Sequence, residues 1–110
     1  MTAKTSIYTN KHKVLIVDDH PIVRHGLGEL IARQSDLEVC GEAANAAEAL
    51  RQVEANRPDI AVVDISLDGD NGIELTEQIR ALYPDVKILV SSIHDEKTFA
   101  GRALRAAALG

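Results

Sequence analysis

Short apolar runs alternate with segments of helical periodicity along most of this chain. The runs are predicted strands at about residues 13–18, 37–42, 60–64 and 86–91. The first, third and fourth are nearly continuous in aliphatic residues, as expected for parallel strands that are covered on both faces. Between the runs, apolar residues recur three or four positions apart, which predicts amphipathic helices. The predicted helix faces are Ile22, Val23, Leu27, Leu30 and Ile31; Ala46, Ala49, Leu50 and Val53; Leu75, Ile79 and Leu82; and Phe99, Ala103 and Ala106.

Local signals predict where the helices begin and end. Pro21 suits the first turn of a helix, where its missing N–H costs nothing, and the first helix is expected to run to about Gln34. Asn45 followed by Glu48 three residues later is typical of a helix N-terminus. The resulting order, (βα)4, predicts an open, doubly wound α/β sheet. Residues 1–12 are polar and without periodicity, and we expect a flexible lead-in before one domain at 13–110.

Composition restricts the class of protein. The chain has 110 residues, 45% of them hydrophobic but only 3% aromatic, so its core must be aliphatic. The net charge of the chain is −5, whereas nucleic-acid binding requires a positively charged face. The apolar runs are too short to span a membrane, and no signal peptide is apparent. Cys40 is the single cysteine and is expected to be a small buried hydrophobe. These features predict a soluble, cytoplasmic domain.

Polar residues follow three of the apolar runs, and they suggest the chemistry. Asp18 and Asp19 follow the first run, Asp64 ends the third, and Ser91-Ser92 end the fourth. Because ligands of open α/β sheets bind beyond the carboxyl ends of the strands, these side chains are expected at one edge. Carboxylates suit Mg²⁺, and a carboxylate can also accept a phosphoryl group as a nucleophile. Asp64, in the expected middle strand, is best placed to do so.

Three segments carry a resemblance to a known family. VLIVDDHPIVRHGL, DIAVVDISLDGDNGIEL and VKILVSSIHDEKTFAGRALRAAALG resemble the receiver domain of bacterial two-component response regulators. More narrowly, they are similar to receivers with a LuxR-type helix-turn-helix output, the NarL/FixJ class. The resemblance covers residues 13–110. It implies a flavodoxin-like (CheY-like) fold with five parallel strands in the order 2-1-3-4-5 and five helices.

The resemblance also implies a role for each site residue. Asp64 would be the phosphoacceptor. Asp19 would bind Mg²⁺ directly, Asp18 would hold it through water, and the Ser66 carbonyl would be a backbone ligand. In the SSIHDE segment, Ser92 rather than Ser91 would occupy the position at which the family has a Ser or Thr.

The sequence departs from the family pattern in two places. Asp68 stands where the family usually has Pro. The sequence also stops at Gly110, before the expected fifth strand, its aromatic switch residue, the family's Lys and the fifth helix. We therefore expect Val86–Val90 to be an exposed edge strand, and the isolated chain to form a homodimer or an edge-paired oligomer, or to aggregate.

The histidines and several glycines are interpreted as structural. His20 precedes Pro21 and is expected to begin the helix, and the spacing of His12, His20, His25 and His94 fits no metal-ligand motif. Gly41, Gly69 and Gly72 lack the order of a nucleotide-binding loop and are interpreted as turn residues.

Three functions remain open at this point. The leading hypothesis is a receiver that accepts a phosphoryl group on Asp64 from a histidine kinase or phosphotransfer protein and contacts DNA only through an output domain outside this chain. Such a protein is not an enzyme beyond phosphorylating and dephosphorylating itself. The alternatives are a phosphorylation-independent pseudo-receiver and a small Mg²⁺-dependent phosphohydrolase. The phosphohydrolase is disfavoured because Ser66 stands where such enzymes usually have a second carboxylate.

Overall fold

The structure is a computed structural model that describes residues 11–65, 67 and 71–91. The helices and strands of this part are β1 (His12–Val17), α1 (Pro21–Ala32), β2 (Leu37–Ala43), α2 (Ala46–Asn56), β3 (Ile60–Asp64), α3 (Gly72–Leu82) and β4 (Lys87–Ser91). The predictions for residues 1–10 of the N-terminal lead-in, Ser66, Asp68, Ser92, the last helix and the end at Gly110 concern residues outside the described ranges. His12, which is predicted to lie in the lead-in, is instead the first residue of β1.

The four strands form one parallel sheet in the order β2-β1-β3-β4. This confirms the predicted strand order 2-1-3-4. In the register, Val17 of β1 pairs with Val63 of β3, and Asp64 pairs with Ser91 of β4. The carboxyl ends of β1, β3 and β4 therefore meet at the same edge, which is where the polar residues follow the strands.

The sheet is packed on both faces, as the continuous apolar runs predict. Leu15 and Val17 of β1 face a core cluster that includes Val53 of α2 and Ile79 of α3. The alternate residues of β1 face a second cluster that includes Leu27 and Ile31 of α1. Because neighbouring strand residues point to opposite faces, a strand buried on both sides must be apolar at every position.

Two predicted core residues are exposed instead. Ile22 is 86% exposed, because the buried stripe of α1 runs through Val23, Leu27 and Ile31, one position around the helix from it. Leu82 is 63% exposed, because it is the last residue of α3 and Tyr83 packs against the core in its place.

Two other sequence predictions need small corrections. Helix α1 ends at Ala32, before the expected Gln34. Cys40 is only partly buried, although it packs against the core, and this burial raises the pKa of its thiol. Within the described residues, no helix is long and apolar enough to cross a membrane.

The N-terminus of α2 has the predicted cap. Asn45 Oδ1 accepts a hydrogen bond from Glu48 N at 2.9 Å. The Glu48 carboxylate accepts in return from Ala44 N at 2.8 Å, one residue before the position that a capping box uses. Two N–H groups that the helix cannot satisfy internally are thereby bonded.

Replacing Asn45 with Ala should lower the free energy of unfolding by about 1 kcal/mol, because Glu48 N would lose its acceptor. Asn45→Ser is the matched control and should cost much less, since its hydroxyl can accept the same bond. Denaturant unfolding followed by circular dichroism measures both. Equal stability of the Ala and Ser variants would show that the cap does not contribute.

Candidate functional site

Three aspartates converge at the carboxyl edge of the sheet. Asp18 and Asp19 follow β1, Asp64 ends β3, and one ligand atom from each of these residues and from His20 lies within 4.8 Å of the others. Asp18 and Asp64 are 3% and 1% exposed, so their charges lie almost wholly out of solvent. Asp18, Asp19 and Asp64 are called the acidic cluster below.

His20 is the fourth member of this site, and the sequence interpretation missed it. Its Nδ1 lies 2.7 Å from Asp18 Oδ1, 3.1 Å from Asp19 Oδ1 and 3.7 Å from Asp64 Oδ2. His20 does occupy the N-cap position of α1, as expected, but its side chain makes no capping hydrogen bond. The side chain instead faces the carboxylates, a contact that the interpretation of His20 as a helix-entry residue did not predict.

The carboxylates change the acid–base behaviour of His20. The hydrogen bond with Asp18 is the main cause that raises the pKa of His20 above its usual value, and partial desolvation opposes this effect. The negative charges of Asp18, Asp19 and Asp64 raise the pKa further. The imidazolium form is thus favoured while the ring is beside the acidic cluster.

The backbone of Asp18 is fixed from two sides. Its N–H donates to Ala43 O of β2 at 2.9 Å, and its carbonyl accepts from Arg24 Nη1 at 2.6 Å. The Nε of Arg24 also donates to Glu42 Oε1 at 3.2 Å, which ties α1 to β2. Arg24 is a positioning residue that sequence reasoning did not identify, since its partners depend on the packing of α1 beside the sheet.

The segment after Asp64 is held between β4 and α3. Ile65 N donates to Ser91 O at 3.0 Å, and Ile65 O accepts from Gly72 N at 3.3 Å. A Cβ on Gly72 would overlap with the Asp64 carbonyl oxygen and lie 2.8 Å from Ile65 Cα. Gly72 is therefore the first residue of a helix packed directly against the backbone of β3, and its interpretation as a turn residue is wrong. The same interpretation is wrong for Gly41, which lies within β2.

The donor set of the acidic cluster fits a hard divalent cation. Three carboxylates within reach of one another at the end of a sheet supply oxygen ligands of the kind that Mg²⁺ prefers. A cation would also relieve the repulsion among the three charges. Ser66 and Ser92, the other residues predicted for this site, lie outside the described ranges.

Comparisons with known proteins agree with this arrangement. The sequence matches the response regulator receiver domain family over residues 14–110. It is 36% identical to the transcriptional regulatory protein DegU of Brevibacillus brevis, over 92% of this chain and 43% of that protein. It is 46% identical to the DNA-binding transcriptional activator DevR/DosR of Mycobacterium tuberculosis, over 71% of this chain and 36% of that protein.

A solved structure shows the same similarity in three dimensions. The two-component response regulator of the LuxR family from Aurantimonas sp. SI85-9A1 superposes with a TM-score of 0.72 at 42% identity. The superposition covers 87% of this chain and 69% of that one. The chain spans less than half the length of the two curated relatives named above.

Proposed function

This chain belongs to the response regulator receiver family, and on that basis we propose that it accepts a phosphoryl group on Asp64 from a histidine kinase or phosphotransfer protein. The observation that carries this proposal is the place of Asp64. Its carboxylate lies at the end of β3, among two further carboxylates, where a cation can be shared. The receiver would comprise residues 12–110, since β1 begins at His12, with the preceding residues as a lead-in.

The reaction we propose is a displacement at phosphorus. An Asp64 carboxylate oxygen attacks the phosphoryl group, a new O–P bond forms, and the P–N bond to the donor histidine breaks. The electron pair of that bond stays on the departing imidazole nitrogen. The pairing of Asp64 with Ser91 and the packing of Gly72 against the Asp64 backbone support the proposal, because both hold the nucleophile in one place.

Asp18, Asp19, Asp64 and the Ser66 carbonyl would hold Mg²⁺, with Asp18 acting through water. When bound, the ion would supply the charge neutralisation that lets an anionic carboxylate approach an anionic phosphoryl group. The hydroxyl of Ser92, just after β4, would donate a hydrogen bond to a phosphoryl oxygen. The chain would catalyse only its own phosphorylation and dephosphorylation.

The proposed purpose of this chemistry is control of an output domain. The relatives are transcription regulators, and one of them is named as DNA-binding. With a net charge of −5, this chain has little to attract a nucleic-acid backbone. We therefore assign DNA contact to an output domain that the receiver controls.

Incubation with acetyl phosphate and Mg²⁺ tests the function. A receiver should acquire an acid-stable, base-labile phosphoryl group on Asp64, found by peptide mapping, that persists for a measurable time. Continuous release of phosphate without a lasting adduct would instead indicate a phosphohydrolase. The absence of both an adduct and turnover would indicate a pseudo-receiver that works only through protein contacts.

Replacing Asp19 with Asn should weaken Mg²⁺ binding by about tenfold or more, since affinity depends on ligand charge and Asn keeps only the shape. Calorimetric titration of both proteins measures the change. Asp36→Asn is the matched control, because Asp36 is exposed and lies outside the acidic cluster. An Asp19→Asn titration equal to that of the wild type would remove Asp19 from the ligand set.

A further inference from the structure

The ring of His20 lies where a ligand of a shared cation would lie. Its Nδ1 is within 3.7 Å of one oxygen from each member of the acidic cluster. The side chain is 41% exposed, so one part of the ring meets solvent while Nδ1 faces the carboxylates. The site therefore combines three oxygen donors with one nitrogen donor.

The junction between β1 and α1 directs this ring toward the carboxylates. His20 precedes Pro21, and residues before proline are restricted to extended backbone, which His20 adopts with φ −100° and ψ 111°. Its backbone N–H donates to Asp18 Oδ1 at 2.9 Å, which fixes the turn. Since the side chain is not used to cap α1, its nitrogen can act as a ligand when the metal ion displaces the Nδ1 proton.

The distances suit coordination of a single ion. Two adjacent ligands at about 2.1 Å from one metal are roughly 3.0–3.4 Å apart in octahedral or tetrahedral geometry. The separations of Nδ1 from the three carboxylate oxygens, 2.7, 3.1 and 3.7 Å, bracket that range. Shifts of a few tenths of an ångström would thus convert the hydrogen-bonded set into a ligand set.

We propose that His20 Nδ1 is a direct ligand for nitrogen-preferring divalent ions such as Co²⁺, Ni²⁺ and Zn²⁺, which this site binds more tightly than Mg²⁺. Imidazole suits these ions, whereas Mg²⁺ favours oxygen donors alone. His20 therefore adds no favourable ligand for Mg²⁺, and Mg²⁺ must break the hydrogen bond between His20 and Asp18 in order to bind. The inference rests on the proposed function only in treating the acidic cluster as a cation site.

The test compares Co²⁺ and Mg²⁺ binding to the 110-residue chain and to His20→Asn at one fixed pH. Calorimetric titration gives both affinities, and the visible absorption of Co²⁺ reports whether nitrogen coordinates. We expect His20→Asn to weaken Co²⁺ binding by about tenfold or more and to alter the absorption spectrum. Mg²⁺ affinity should stay the same or rise.

His25→Asn is the matched control. That histidine is 77% exposed and lies 3.6 Å from Glu29 Oε2, so it also offers an imidazole beside a carboxylate, but outside the site. The His25→Asn variant should bind Co²⁺ like the wild type. If circular dichroism shows that His20→Asn is unfolded, His20→Gln takes its place in the comparison.

The inference is overturned if His20→Asn binds Co²⁺ as the wild type does, or loses Co²⁺ and Mg²⁺ affinity in parallel. Parallel loss would mean that His20 only supports the carboxylates. Failure of the proposed function would look different, because a wild type that binds Co²⁺ through His20 but forms no phosphoryl adduct leaves the ligand assignment standing.

Discussion

Asp64→Asn should form no phosphoryl adduct with acetyl phosphate and Mg²⁺, whereas the wild type should carry one group per chain. The substitution removes the nucleophilic oxygen anion and keeps the size of a side chain that is only 1% exposed. The fold should survive, because losing one of three adjacent negative charges reduces their repulsion. Intact-mass spectrometry measures the adduct, and a denaturant melt checks the fold.

Asp18 is poorly placed to substitute for Asp64. Asp18 Oδ1 is already hydrogen-bonded to both the backbone N–H and the ring of His20. Asp36→Asn, which removes an exposed carboxylate, is the matched control and should be phosphorylated like the wild type. An adduct of normal yield in Asp64→Asn, or a wild-type adduct mapped to Asp18 or Asp68, would show that the nucleophile is assigned wrongly.

The sheet could be predicted because its signals are local. Strands covered on both faces must be apolar at successive positions, and this property is visible in Val14–Val17 and Ile60–Val63. The cap of α2 was equally predictable, since both of its hydrogen bonds join residues at most four positions apart. Periodicity failed at the helix ends, where Ile22 and Leu82 fit the spacing but lie beyond the buried stripe.

The convergence of the acidic cluster was predictable for a topological reason. Parallel strands end at the same edge, so residues that end β1 and β3 meet wherever those strands are neighbours. The family was predictable from the motifs around Asp18–Asp19 and Asp64, and the match over residues 14–110 confirms it. The LuxR-family structure likewise supports the narrower resemblance. The roles of Asp64, Asp19, Ser66 and Ser92 stay predictions.

Contacts between distant segments could not be predicted from one sequence. The sequence shows His20 only as a residue before a helix, and its ring lies near Asp64 because β3 is the neighbour of β1. Arg24 is a polar helix residue in the sequence, and it contacts Asp18 because α1 packs beside the sheet. Gly72 resembles a loop residue in the sequence, and its lack of a side chain is needed because the start of α3 packs against β3. In each case the role of the residue depends on how distant elements pack together.

Gly72→Ala should be among the most damaging single-methyl changes in the described part of the chain. The new Cβ would overlap with the Asp64 carbonyl oxygen and approach Ile65 Cα to 2.8 Å. Both neighbours are backbone atoms, so relief requires moving α3 or the end of β3. Overpacking of this kind costs about 1–3 kcal/mol, and rigid surroundings favour the upper part of that range. Adduct formation on Asp64 should also slow, because its backbone must shift.

The same substitution in α1 gives the opposite expectation and serves as the control. A Cβ at Gly26 would meet nothing within 4 Å, and Gly26 is exposed in the interior of α1. Gly26→Ala should therefore raise the free energy of unfolding by about 0.5–1 kcal/mol, because alanine loses less backbone entropy in a helix. Denaturant melts of both variants measure the contrast. Equal stability of Gly72→Ala and the wild type would mean that α3 can retreat from β3 without cost, and that the end of β3 is not held by this contact.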